Sequence, residues 1–175
     1  MRKIIKDKAI INDDWQVLKL ADGESAETTV VPAGKTLVPL SVWLAQKSTL
    51  ASRADIGVWL ASDERAESLK EDVATLPLIA IDFPTFADGR GYSIAYRLRT
   101  RLGFEGELRA IGDVLHDQLF YMARVGFNAF ATREDRSIED ALKGLTDFSE
   151  TYQTAWDQKT PLFRRVARPN AQELA

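Results

Sequence analysis

The chain of 175 residues has no cysteine and one histidine, His116. The lack of cysteine excludes disulfides, thiolate nucleophiles, CxxC redox chemistry and cysteine-ligated iron–sulfur clusters. One histidine among scattered carboxylates makes no ligand set with metal-binding spacing, so no metal site is expected. No apolar run approaches membrane-spanning length. The opening Met1-Arg2-Lys3-Ile4-Ile5-Lys6-Asp7-Lys8 is charged and lacks the apolar core of a signal peptide. A cytoplasmic protein without a membrane partner is the expectation. A net charge of -3 gives no sign of affinity for nucleic acid. The Walker lysine, the full GxGxxG spacing and the Gly-x-Ser-x-Gly elbow are all missing, so no cofactor is identifiable from motifs.

The residues that are present suit a globular domain. Apolar residues make up 45% and charged residues 28%, enough for a sizeable core. A single α/β domain is expected over residues 1–168, with a flexible tail at 169–175. Lys3–Ile5, Ala9–Ile11 and Trp15–Leu18 read as short strands, with Thr29–Val31 as a further edge segment. Residues 1–35 would form an N-terminal β extension. Leu40, Trp43, Leu44 and Leu50 then recur at helical spacing, with Pro39 near the helix start.

Four apolar strands follow at Asp55–Leu60, Leu76–Ile81, Glu107–Ile111 and Phe127–Ala131. Each leads into a helical pattern: one capped by Ser62, one over Ser93–Leu102, one from Asp113 to Gly126, and one capped by Ser137. Residues 36–147 thus read as a βα core, and 148–168 as a C-terminal aromatic edge holding a last strand. About four consecutive strand–helix units imply a parallel sheet with right-handed crossovers. An open α/β layer is the first reading. The alternative is a half β/α-barrel, whose uncovered apolar sheet would drive it to form a homodimer.

In a parallel sheet the strand C-termini share one edge, where ligands dock. The run Asp82-Phe83-Pro84-Thr85-Phe86-Ala87-Asp88-Gly89-Arg90-Gly91-Tyr92-Ser93 falls there, with Gly112-Asp113 and Arg133. Lysine is absent between Lys70 and Lys143, while Arg90, Arg97, Arg99, Arg101, Arg109, Arg124 and Arg133 stand within that span. Arginine offers a planar, permanently charged fork for oxyanions. An oxyanion pocket would draw on Asp88, Gly89, Arg90, Gly91, Ser93, Arg97, Arg109, Gly112 and Arg133. The competing reading pairs these arginines with the carboxylates of the same segment. Asp82, Tyr92, Asp113 and His116 are the candidates for proton chemistry, His116 because Asp113 and Asp117 could orient it. Ser93 also reads as a helix cap, and Phe83, Phe86 and Phe104 as residues that pack the loop onto the sheet.

The segment from Leu78 to Phe130 resembles a known family. It is carried by Ile79-Ala80-Ile81-Asp82-Phe83-Pro84, by Phe86-Ala87-Asp88-Gly89-Arg90-Gly91-Tyr92-Ser93, by Leu98-Arg99-Thr100-Arg101-Leu102-Gly103, and by Gly106 through Leu115 with Asp117-Gln118-Leu119 and Gly126-Phe127. Together these are similar to the bacterial domain-of-unknown-function 934 family, labelled an oxidoreductase or accessory protein of sulfite reduction. The resemblance implies a place in assimilatory sulfite reduction and implies no catalytic residues. Where His116 stands, the family commonly has Arg. The expected role is an accessory protein that binds sulfite reductase or its electron donor. The alternative is a small enzyme or sensor for an oxyanion such as sulfite or a phosphosulfate nucleotide.

Overall fold

The computed structural model describes residues 2–165. Eight strands form one sheet: β1 (Lys3–Lys6), β2 (Ala9–Asn12), β3 (Gln16–Val17), β4 (Thr36–Pro39), β5 (Ile56–Leu60), β6 (Leu78–Phe83), β7 (Glu107–Gly112) and β8 (Ala129–Phe130). Their order is β2-β1-β8-β7-β6-β5-β4-β3. β3 to β8 are parallel and lie in chain order, and β1 joins β8 antiparallel. The helices are α1 (Leu40–Leu50), α2 (Arg90–Thr100), α3 (His116–Val125), α4 (Ile138–Lys143) and α5 (Leu162–Arg165).

Sequential parallel order with right-handed crossovers sends the connecting helices to one face of the sheet. The burial pattern agrees, because successive side chains of a strand point to opposite faces. Ile79, Ile81 and Phe83 pack with Ile94, Ala95 and Leu98 of α2 and with Leu119 and Met122 of α3. The alternate residues Leu78 and Ala80 join Ile4, Leu37, Ile111 and Ala131 in a second cluster, against Trp15, Val17 and Trp59. That cluster contains no helix residue.

The second cluster lies on the concave side, and chain connectivity requires the curl. β2 ends at Asn12 on one edge of the sheet and β3 begins at Gln16 on the other. Only Asp13, Asp14 and Trp15 lie between, and so short a stretch reaches at most about 14 Å. Eight flat strands would span roughly 33 Å. The sheet therefore curls into a half barrel, and residues 13–15 cross its open side as a strap. Along the strap, Asp13 accepts from Arg109 Nη1 of β7 at 2.9 Å, and Asp14 pairs with Lys35 Nζ at 2.6 Å beside β4. Trp15 enters the concave cluster. Glu107 completes the arrangement, 2.7 Å from Arg109 and 2.8 Å from Lys6 Nζ. The concave apolar cluster is thus packed against residues of the chain's own strap.

Several local expectations are corrected. Thr29–Val31 forms no strand, and β4 lies five residues further on, where the short Thr36-Leu37-Val38-Pro39 run merges directly into α1. The segment after Ser62 makes only a single 3-10 turn, Ala66–Leu69, because Ser62 is engaged elsewhere instead of capping. Residues 148–161 form no strand. They cross α3 irregularly, held by Arg124 donating to Thr151, Gln153 and Asp157, by Phe148 against Phe120, and by Trp156 against Arg99. The tail expected at 169–175 lies outside the described residues.

Arg109 and Asp13 are almost fully enclosed, with side-chain exposures of 2% and 4%. Removing one partner of such a pair strands the other charge, so Arg109→Ala should lower the unfolding free energy by about 3–5 kcal/mol in urea denaturation. The exposed partner of the strap's other ion pair gives the contrast, and Lys35→Ala should change it by less than about 1 kcal/mol. Equal small losses would refute the strap as the element that closes the sheet.

Candidate functional site: the rim at the strand C-termini

α2 begins at Arg90, so the Gly-Arg-Gly-Tyr-Ser run is a helix start and not an open loop. Ser93 lies inside the helix and does not cap it. Gly91 packs under β6, where a Cβ would stand 2.7 Å from Phe83 Cζ. Its small size serves helix–sheet contact, not the approach of a ligand. Gly112 has φ +90, and a Cβ there would collide with the Phe83 carbonyl oxygen. Glycine lets β7 wrap around the end of β6, and Asp113 N then donates to Phe83 O at 2.7 Å.

Arg90 is gripped by its own segment. Its Nε donates to Asp88 Oδ1 at 2.9 Å and its Nη2 to Asp88 Oδ2 at 2.7 Å. Nη2 also donates to Ser62 Oγ at 2.8 Å, and that hydroxyl donates to Asp88 Oδ2 at 2.6 Å. Arg90, and then Ser62, hold the Asp88 carboxyl well below the usual carboxylate range. A bidentate fork on a carboxylate is the geometry by which the same fork would take an oxyanion. Here Asp88 occupies it.

The second cluster lies at the ends of β7 and β8. Asp113 accepts from Phe86 N at 2.8 Å and from Arg133 Nη1 at 3.1 Å. The helix expected to run from Asp113 begins only at His116, so Asp113 does not cap it. Leu115 stands at the cap position, its N donating to Gln118 Oε1 at 3.0 Å, while Asp113 is drawn back to the 84–89 loop. Arg133 also forks onto Asp135 at 2.9 and 2.8 Å, and Asp135 first, then Asp113, raise its pKa. Gln118 Nε2 donates to Phe86 O at 3.2 Å. The peptide groups of Phe86 are therefore held on both sides by side chains from beyond the loop. Phe86 remains 47% exposed, whereas Phe83 and Phe104 are buried. The expectation that Phe86 packs onto the sheet is thus corrected.

The remaining expected site residues separate. Asp82 shares the concave face of β6 with Leu78 and Ala80. Its carboxyl makes no hydrogen bond or ion pair among the described residues, and burial pushes it above the ordinary value. Tyr92 lies on the opposite, helical side, against Phe83 and Tyr121, and burial raises its hydroxyl pKa. The sheet thus lies between these two groups. His116 opens α3, exposed, with its backbone against Gly144 and Nε2 4.0 Å from Asp147. Asp113 does not orient it. Arg97 and Ser93 are exposed on α2, with Arg97 3.4 Å from Glu67. Arg109 belongs to the concave strap. Of the expected site residues, Asp88, Gly89, Arg90, Gly91, Gly112, Asp113 and Arg133 share the rim. Among the described residues no group of three His, Asp or Glu is placed to hold a metal ion, and no helix is long and apolar enough to cross a membrane.

An α/β half barrel whose strand C-termini carry a rim braced by two carboxylate–arginine clusters defines the architecture. Residues 57–163 match the family described as a bacterial protein of unknown function, DUF934, and the chain belongs to that family. No curated protein and no solved structure shows a significant match.

Asp82 provides a pH test. Its folded-state pKa is raised, so ionisation near neutral pH opposes folding, and that cost disappears as pH falls below the ordinary Asp value of about 3.9. Asp82→Asn should therefore raise the melting temperature at neutral pH, with the gain shrinking to nothing under acid conditions. A gain that persists in acid would exclude desolvation as its cause.

Proposed function

We propose that this protein is an accessory factor of assimilatory sulfite reduction that docks on sulfite reductase or its electron donor through the rim around Phe86. The pathway rests on the resemblance of residues 78–130. The mode of action rests on one observation: an exposed phenylalanine whose N–H and C=O are both pinned, by Asp113 and Gln118. A large ring presented at fixed geometry has already lost the loop entropy that binding would otherwise have to remove. Aromatic anchors ringed by charged residues are the usual energetic centres of protein interfaces. Arg90 and Arg133, with exposures of 61% and 42%, supply such a ring, and their internal carboxylates hold them in place.

Co-purification from cells that express the reductase and its donor tests this reading. Phe86→Ala should weaken the complex at least about tenfold while leaving the melting temperature nearly unchanged. If wild type forms no complex at micromolar concentration, docking is refuted.

The second reading is oxyanion binding at Arg90, and its support is the exposure of that guanidinium. A ligand would have to take the fork from Asp88. Calorimetry with sulfite and adenylyl sulfates would then give heat in wild type and none in Arg90→Ala. Silence in both would remove this reading.

A further inference from the structure

The outer face of the helical layer carries an open groove of about 900 Å³ between α2, α3 and the 148–155 segment. Six phenylalanine and tyrosine residues are exposed among the described residues. Four of them, Tyr96, Tyr121, Phe148 and Tyr152, line this groove. Single exposed apolar residues are ordinary, but a contiguous patch marks an interaction surface. The charges beside it are uneven. Three arginines, Arg97, Arg101 and Arg124, stand against one acid, Glu150, in a chain of net charge -3. Glu150 pairs with Arg165, and Arg124 is spent on Thr151, Gln153 and Asp157. Arg97 has a single contact, with Glu67 at 3.4 Å, and Arg101 has no ion pair among the described residues. The groove therefore keeps two cations beside its exposed rings.

The spacing of these groups defines what fits. From Tyr92 to Arg101 the wall formed by α2 runs about 14 Å. Four residues of extended chain, at about 3.3 Å each, cover that length. Arg97 and Arg101 are one helical turn apart, with Cβ atoms about 5–6 Å from each other. Alternate side chains of an extended segment are separated by nearly the same distance, about 6.6 Å. Along the other wall, no main-chain N–H of residues 149–154 donates to a main-chain carbonyl among the described residues. Such donors suit an added extended chain. We propose that this groove binds an extended acidic segment of a partner protein, in which two carboxylates flank one apolar residue. The carboxylates meet Arg97 and Arg101, whose planar forks match them. The residue between them turns to the wall of Phe148 and Tyr152. Single-stranded nucleic acid also uses rings and arginines. Two free cations are too few to track its backbone, and Glu67 and Glu150 would repel it. Phe86 lies outside the groove, which makes this site separate from the docking rim.

Panning a random heptapeptide phage library on the full chain tests the assignment. Enriched sequences should carry two acids separated by one apolar residue. A synthetic copy of such a peptide should bind in fluorescence polarisation, and more weakly as salt rises. Reversing both charges, Arg97→Glu with Arg101→Glu, should weaken it at least about tenfold. Phe86→Ala should leave it unchanged. The proposal is overturned if no sequence is enriched, if the enriched sequences lack the acids, or if the double reversal binds like wild type. Loss of binding in Phe86→Ala, or tighter binding of oligothymidylate than of the peptide, would overturn it too. The sequence pattern and the oligothymidylate comparison need only wild type, so they hold even if a variant fails to fold.

Discussion

The contact between Arg109 and Asp13 sets the shape of this molecule. Every other strand neighbour is joined by backbone hydrogen bonds, which tolerate a flat or a curled sheet alike. The strap does not. The short connection brings the two edges together, and Arg109 fixes where residues 13–15 cross, over the middle of the sheet, where Trp15 covers the concave apolar residues. An ion pair this deep is weak support for stability as such, since its desolvation offsets much of its attraction. What it supplies is position. Asp13 has one arginine to meet, and Glu107 and Lys6 hold that arginine from the other side.

The rim follows the same logic. At the ends of β6, β7 and β8, carboxylates hold arginines and arginines hold carboxylates, so the charge is balanced internally and the loops are fixed. Catalytic sites commonly keep a strained or unpaired group ready for substrate. On the rim the charged groups are paired, and the large apolar side chain left exposed is Phe86. Arg99 is a related case on the helical face. It reads in the sequence as one more charge of an arginine-rich stretch. In the structure it is buried, and it serves carbonyl oxygens of Gly126, Phe104 and Gly106 as a clamp between α2 and the ends of its neighbours. Burial lowers its pKa to about 10.

The sequence made the parallel core legible because β5 and the Leu78–Ile81 part of β6 are continuous apolar runs, because aspartate follows that part of β6 and glycine ends β7, and because Gly103 and Gly126 stop their helices by adopting positive φ. The pairing of arginines with nearby carboxylates was also visible as one of two readings. Other features could not be read. β4 was hidden because four residues carry no periodicity and run into a helix of similar composition. The half barrel was left beside an open layer because strand order depends on which edges meet. That information lies in the brevity of the 13–15 connection, which gains meaning only once β2 and β3 are known to be opposite edges. Phe86 was misread because hydrophobicity does not reveal that Asp113 and Gln118, distant in sequence, hold its backbone away from the core.

The N-terminal hairpin has a consequence for biosynthesis. β1 pairs with β8 through Ile5 and Phe130, and Asp13 meets an arginine 96 residues away. β1 is thus synthesised well before β8, the strand it must join. Until β8 emerges, an apolar two-stranded ribbon waits without a sheet to join, and the growing core carries an unpaired edge. Lys3, Lys6 and Lys8, with Asp13 and Asp14, flank that ribbon with charge. These residues discourage it from joining another chain during the interval.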